Sequence, residues 1–166
     1  KLAAFILLTS QGVPVLHLGQ DFMRTKHGVE NSYNSPDKIN AVVWKRKMEF
    51  IDVFNYYKNL IDLRKQNPVF SLPLDVDVRK AIEFRSDVFL PDNQNAIGYT
   101  LETDEKTLFV VINPYQYDIS VNLKEDGWKM LLFGDDYFPE APLSLHSSCV
   151  TVPRLSGAVF VKECKK

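Results

Sequence analysis

From about residue 74 the chain loses its helical period and breaks into seven short runs rich in β-branched and aromatic residues. They cover 81–85, 96–102, 107–113, 118–123, 128–133, 149–152 and 158–162. Pro91-Asp92-Asn93, Asp104-Glu105, Asn113-Pro114, Glu125-Asp126-Gly127 and Gly134-Asp135-Asp136 punctuate them. Turn chemistry at such spacing predicts an antiparallel sandwich or barrel. Ile119-Ser120-Val121-Asn122-Leu123 alternates cleanly, which predicts one face in water.

Upstream the grammar is different. Residues 2–9 are apolar almost all round, which predicts a helix packed on both sides and stopped by Gln11-Gly12. Residues 13–18 form a short, nearly continuous apolar run, the pattern of a strand covered on both faces in a parallel sheet. In 49–66, Phe50, Val53, Phe54, Tyr57, Leu60 and Ile61 recur at helical spacing, and Asn67-Pro68 ends the helix. The change of pattern places a boundary near 71–75, dividing the chain into 1–73 and 74–166.

Composition narrows the function classes. A formal net charge of −1 with mixed signs gives no electrostatic footprint for nucleic acid or an anionic membrane. The apolar opening KLAAFILLTSQG is too short to span a bilayer and is read as the buried helix of a larger fold that starts in mid-architecture. Cys149 and Cys164 make neither a disulfide framework nor a metal spacing, and His17, His27 and His146 are too scattered for a ligand set. No metal and no cofactor are expected. The nucleophile elbow, the P-loop and the dinucleotide glycine fingerprint are all missing. Asp104-Glu105, Glu125-Asp126 and Asp135-Asp136 fall between short strands, where acidic pairs are ordinary turn residues.

The candidate site is the polar stretch from Phe22 to Trp44. Connections inside a domain are usually about four to six residues, and long ones are often functional. A loop leaving the carboxyl end of a parallel strand faces the side where ligands bind. Arg24, Asn31, Tyr33, Asn34, Asp37 and Asn40 supply donors and acceptors that suit a polyhydroxyl ligand, since each sugar hydroxyl both gives and takes a hydrogen bond. Tyr33 and Trp44 are flat enough to stack on a sugar ring. The same residues also suit a loop tied down by its own Asx turns, with Trp44 as a core plug. A different class of reading, a non-catalytic carbohydrate-binding or packing module, would use Tyr115, Tyr117, Trp128 and Tyr137 of the β-rich part.

Four segments carry a resemblance: SQGVPVLHLGQDFMRTK (10–26), NSYN (31–34), NAVVW (40–44) and YYKNLIDLR (56–64). Over about residues 1–72 they resemble the last barrel strand, its loop and the last barrel helix of type I pullulanases, debranching enzymes of glycoside hydrolase family 13. Gln20 stands where the wider family often has an acidic residue. The rest resembles, more weakly, the sandwich that closes these enzymes. The resemblance implies the end of a (β/α)8 barrel followed by an all-β antiparallel sandwich. It also implies a retaining parent enzyme that hydrolyses α-1,6 branch linkages in pullulan, starch or glycogen, with the loop on the glycone side of its cleft.

The family's catalytic carboxylates lie before the part represented here, so no catalytic residue is assigned. Retaining hydrolysis needs two carboxyl groups about 5–5.5 Å apart. The chain alone is therefore expected to be inactive, and its truncated barrel surfaces are expected to drive self-association. The implied partner of the parent is an α-glucan.

Overall fold

The computed structural model describes residues 1–164. Five helices come first: α1 (Leu2–Thr9), α2 (Asp37–Asn40), α3 (Arg46–Glu49), α4 (Ile51–Gln66) and α5 (Asp75–Ala81). Nine strands follow: β1 (Ile82–Phe84), β2 (Ile97–Glu102), β3 (Lys106–Asn113), β4 (Ile119–Asn122), β5 (Lys129–Phe133), β6 (Asp136–Tyr137), β7 (Leu143–Ser144), β8 (Cys149–Val152) and β9 (Ser156–Glu163). All seven expected β runs contain a strand. The two-residue strands β6 and β7 and the short helices α2, α3 and α5 are additional. In α5 the sequence DVDVRKA alternates like a strand, but acidic residues in its first turn and basic ones in its last favour the helix through its dipole. No described helix is long and apolar enough to cross a membrane.

Antiparallel pairing orders one sheet β1-β2-β3-β9-β5-β6, with β7 also on β5, while β4 and β8 pair separately. The central strands are buried on both faces. Leu108, Val110, Val159 and Val161 point to a core shared with Phe5 and Leu8 of α1 and Leu60 and Leu63 of α4. Phe109, Val111, Ala158 and Phe160 point to a second core, closed by Ile119, Val121 and Val152 of the small sheet and by Trp128. That two-sided cover is why β3 and β9 read as continuous apolar runs although they are antiparallel. The outer β4 alternates buried and exposed, as its sequence indicates.

Two of the expectations for the first third are corrected. Residues 13–17 have no regular structure, so the expected strand over 13–18 is not formed. Val13 is 90% and Val15 81% exposed, the opposite of a covered strand. A strand is held by ladder bonds to neighbours, and none of the described strands lies beside this segment. Nor is α1 covered on both sides: Ala4, Phe5 and Leu8 are buried, but Ile6 is 40% exposed. In α4 the buried stripe is Val53, Tyr56, Tyr57, Leu60, Leu63 and Arg64, turned away from Ile61 because α1 and the sheet lie on that side.

Polar groups lock the helices to the sheet. The Tyr99 hydroxyl on β2 donates to Thr9 O at the end of α1 (2.9 Å), and burial pushes its phenol up to about 12. Arg64, 8% exposed, donates to Leu8 O, Ser10 O, Gly12 O and Phe70 O. Gly157 on β9 lies under the Phe5 ring, where no side chain would fit. On the opposite core, the fully buried Asn113 amide donates to Tyr117 O, Val152 O and Pro153 O and accepts from Tyr115 N.

Candidate functional site

The long polar stretch is an organised loop with a fixed base. It begins at Gly19, whose φ of 84° is left-handed and whose missing Cβ would lie 2.9 Å from Arg24 Cβ. Glycine thus lets the chain fold straight back, and Arg24 N closes the turn on Gly19 O at 2.9 Å. Phe22 is buried against Trp44, their ring centroids 5.6 Å apart. Arg46 of α3 donates twice to Met23 O (3.0 and 2.6 Å), and Gln20 Nε2 donates to the Tyr57 hydroxyl of α4 (2.9 Å).

Asn40, the last residue of α2, is the hub. Its amide donates to Ser32 O and Ser35 O, both at 2.7 Å, and its side-chain carbonyl accepts from Lys26 Nζ. Arg24 adds donations to Leu18 O (3.3 Å) and to Asn40 O. Partial desolvation, and then the charge of Arg24, push the Lys26 ammonium down from its ordinary value. Two loop strands are thereby tied at one point, in the way that a buried polar network holds one conformation.

The six candidate residues therefore divide. Arg24 and Asn40 are turned into the loop: Asn40 spends both amide donors on its backbone and Arg24 donates to two carbonyls, although Arg24 Nε is buried without a partner. Asn31, Tyr33, Asn34 and Asp37 are exposed, with Tyr33 at 85%. Asn31 Oδ1 accepts from Tyr33 N at 3.5 Å, a weak Asx-type contact. Trp44 is 63% exposed: it covers Phe22 and leaves much of its ring open, so it is not a core plug. In the sequence Lys26 belongs to the loop's polar set and Gln20 departs from the family pattern, a change that could alter a loop contact, but nothing marks Arg46.

In two of the three acidic turn pairs one carboxylate is held by a lysine. Glu125 pairs with Lys162 (2.5 Å) and Asp135 with Lys1 (2.6 Å), all near the surface. Among the described residues no group of three His, Cys, Asp or Glu is placed to hold a metal. The aromatic platform of the alternative reading is dispersed. Trp128 is buried, Tyr137 donates to Gln66 Oε1 (3.1 Å), and the Tyr115–Tyr117 stack (4.8 Å) holds the turn at 92–95 through its hydroxyls.

No family model matches the chain. A curated pullulanase of Bacillus subtilis (strain 168) is 37% identical over 150 residues, which is 87% of this chain. The pullulanase structure from Bacillus acidopullulyticus superposes with a TM-score of 0.87 at 31% identity over 97% of the chain. The chain corresponds to a segment of a pullulanase. A pullulanase from Anoxybacillus sp. LM18-11, solved in complex with maltotetraose, matches 98% of the chain with a TM-score of 0.82 at 30% identity. The chain spans about a fifth of the length of these relatives, 20% of the first two and 23% of the third. Helices and antiparallel sheet alike fall within the part that superposes on the pullulanase structures.

Proposed function

We propose that this chain contributes a glucan-cleft loop and the trailing sandwich to an enzyme that hydrolyses α-1,6 branch linkages with retention. In this reading residues 1–73 are the end of a (β/α)8 barrel and 74–166 the sandwich. The observation that supports it best is the loop's division of labour. Arg24 and Asn40 brace from within, while Asn31, Tyr33, Asn34 and Asp37 stay exposed beside the open ring of Trp44. A braced loop with outward amides, a phenol and a carboxylate suits sugar hydroxyls. Each neutral contact would contribute about 0.5–1.5 kcal/mol. The Anoxybacillus relative's complex with maltotetraose agrees in ligand class.

Exposed Val13, Val15, Leu18, Val43 and Met48 belong, in this reading, to the face that the remaining barrel covers. The same face gives the isolated chain a surface for self-association, since large contiguous apolar patches are uncommon on monomers. One purified preparation tests both points. The expected result is no release of reducing ends from pullulan, together with a light-scattering mass above the 19.1 kDa of one chain. Turnover of pullulan would overturn the division of labour, and a strict monomer would overturn the role of that face.

A further inference from the structure

At the end of the sandwich far in sequence from the loop, a cavity of about 170 Å³ opens between the β4–β5 connection and the segment before β8. Glu125 and Asp126 line one side, and His146, Ser147 and Ser148 the other. Trp128 forms part of the wall. Its side chain is packed against Phe109 (5.7 Å between centroids) and it is only 6% exposed. Yet its Nε1–H is buried with no hydrogen-bond partner. A buried indole N–H normally has one, so this donor needs an acceptor that the described residues do not supply.

The neighbouring groups limit what that acceptor belongs to. Glu125 is neutralised by Lys162, whose ammonium also sits 5.7 Å from the centre of the Trp128 ring. Asp126 remains as an acceptor. Ser147 Oγ accepts from Cys149 N at 3.1 Å and keeps its proton to donate. An anion would meet the Asp126 carboxylate, and a cation could not accept from the indole. Hydroxyl groups satisfy both demands. The volume lies below the roughly 300–1,000 Å³ of pockets for drug-sized ligands, so it suits a single ring or chain end.

We propose that this cavity binds a neutral polyhydroxyl ligand, one sugar unit in size, with the Trp128 indole N–H donating to a ligand hydroxyl. Glucose and maltose as probes rest on the glucan reading above; the cavity's preference for hydroxyls does not. The chain has two tryptophans, Trp44 at the loop and Trp128 at the cavity. In the ¹⁵N-labelled chain each gives one indole N–H cross-peak, assigned with Trp44→Phe. The Trp128 peak is expected to shift saturably with glucose and maltose. His146→Ala, an exposed change, is expected to weaken that binding about three- to tenfold, the effect of one neutral hydrogen bond.

A Trp128 peak that stays fixed or only drifts linearly up to the solubility limit of maltose overturns the proposal, as does an unchanged affinity in His146→Ala. If Trp44 moves and Trp128 does not, the cavity fails and the loop reading stands. If Trp128 moves and Trp44 does not, the cavity stands independently of the loop, whose role is tested in the complete enzyme.

Discussion

Gly157→Ala is expected to lower the unfolding free energy by about 3 kcal/mol, at the upper end of ordinary overpacking costs. The added methyl would lie 2.5 Å from Phe5 Cζ and nearer still to the Phe5 ring edge. Neither partner can yield cheaply. Gly157 is paired with Ile112 in the middle of the sheet, and Phe5 is completely buried on a helix whose far end is pinned by Tyr99 and Arg64. For a chain of this length each kcal/mol moves the midpoint by about 2–4 °C, so thermal melting should fall by roughly 6–12 °C. The cause can be isolated. Phe5→Leu in the Gly157→Ala background should recover part of the loss, giving a coupling energy of about 1 kcal/mol or more between the two sites. Additive losses, or a Gly157→Ala change within about 0.5 kcal/mol of zero, would mean that helix and strand are not in this close contact.

Arg64→Met is expected to cost about 4 kcal/mol. The methionine keeps most of the apolar stem, so the loss is that of the guanidinium. Its two terminal nitrogens serve four carbonyls: Leu8 O at 2.9 Å, Ser10 O at 2.7 Å, Phe70 O at 2.9 Å and Gly12 O. Among the described residues no carboxylate forms an ion pair with it; the carbonyl dipoles at the C-terminus of α1 hold the charge. Burial pushes the guanidinium down from its ordinary value, yet arginine remains charged at neutral pH. Unpaired buried carbonyls cost about 1–3 kcal/mol each, reduced where water can enter. Arg64→Lys should recover only part of the loss, because a single ammonium cannot reproduce the planar fork. Urea titration with the slope held constant measures both. Amide exchange should rise first in α1 and around 10–12, the segment that aims the candidate loop. A loss under about 1 kcal/mol for Arg64→Met would show that the fork is dispensable.

The antiparallel strands were legible in the sequence because turn residues and strand runs are local signals. Pro91, Gly127 and Gly134 mark corners whatever the rest of the chain does. The helix at 51–66 was legible for the same reason. The apolar run at 13–18 misled because its meaning depends on partners. A continuous apolar segment fits a covered strand only where strands flank it, and no local pattern reports that. The opposite holds for β3 and β9, where antiparallel strands read as continuous apolar runs because helices cover one face and β4 with β8 the other. At the candidate site, residue type marked out the loop but could not separate side chains that face outward from those that brace it. Asn40 and Asn31 are the same side chain, yet one holds the loop together and the other faces outward. Only backbone placement distinguishes them.

The central claim is that the loop between Phe22 and Trp44 faces a glucan in a complete enzyme. A chimera tests it most directly: this chain replaces the matching fifth of the Bacillus subtilis pullulanase, and pullulan hydrolysis is measured for the chimera and for its Asn31→Ala, Tyr33→Ala and Asp37→Ala variants. An active chimera is expected whose variants keep their melting temperature; Asn31→Ala and Tyr33→Ala should lose roughly three- to tenfold in kcat/KM, the value of one neutral hydrogen bond, and Asp37→Ala about tenfold or more, since a hydrogen bond to a charged group is worth more. A folded chimera whose hydrolysis is indifferent to all three changes would contradict that claim.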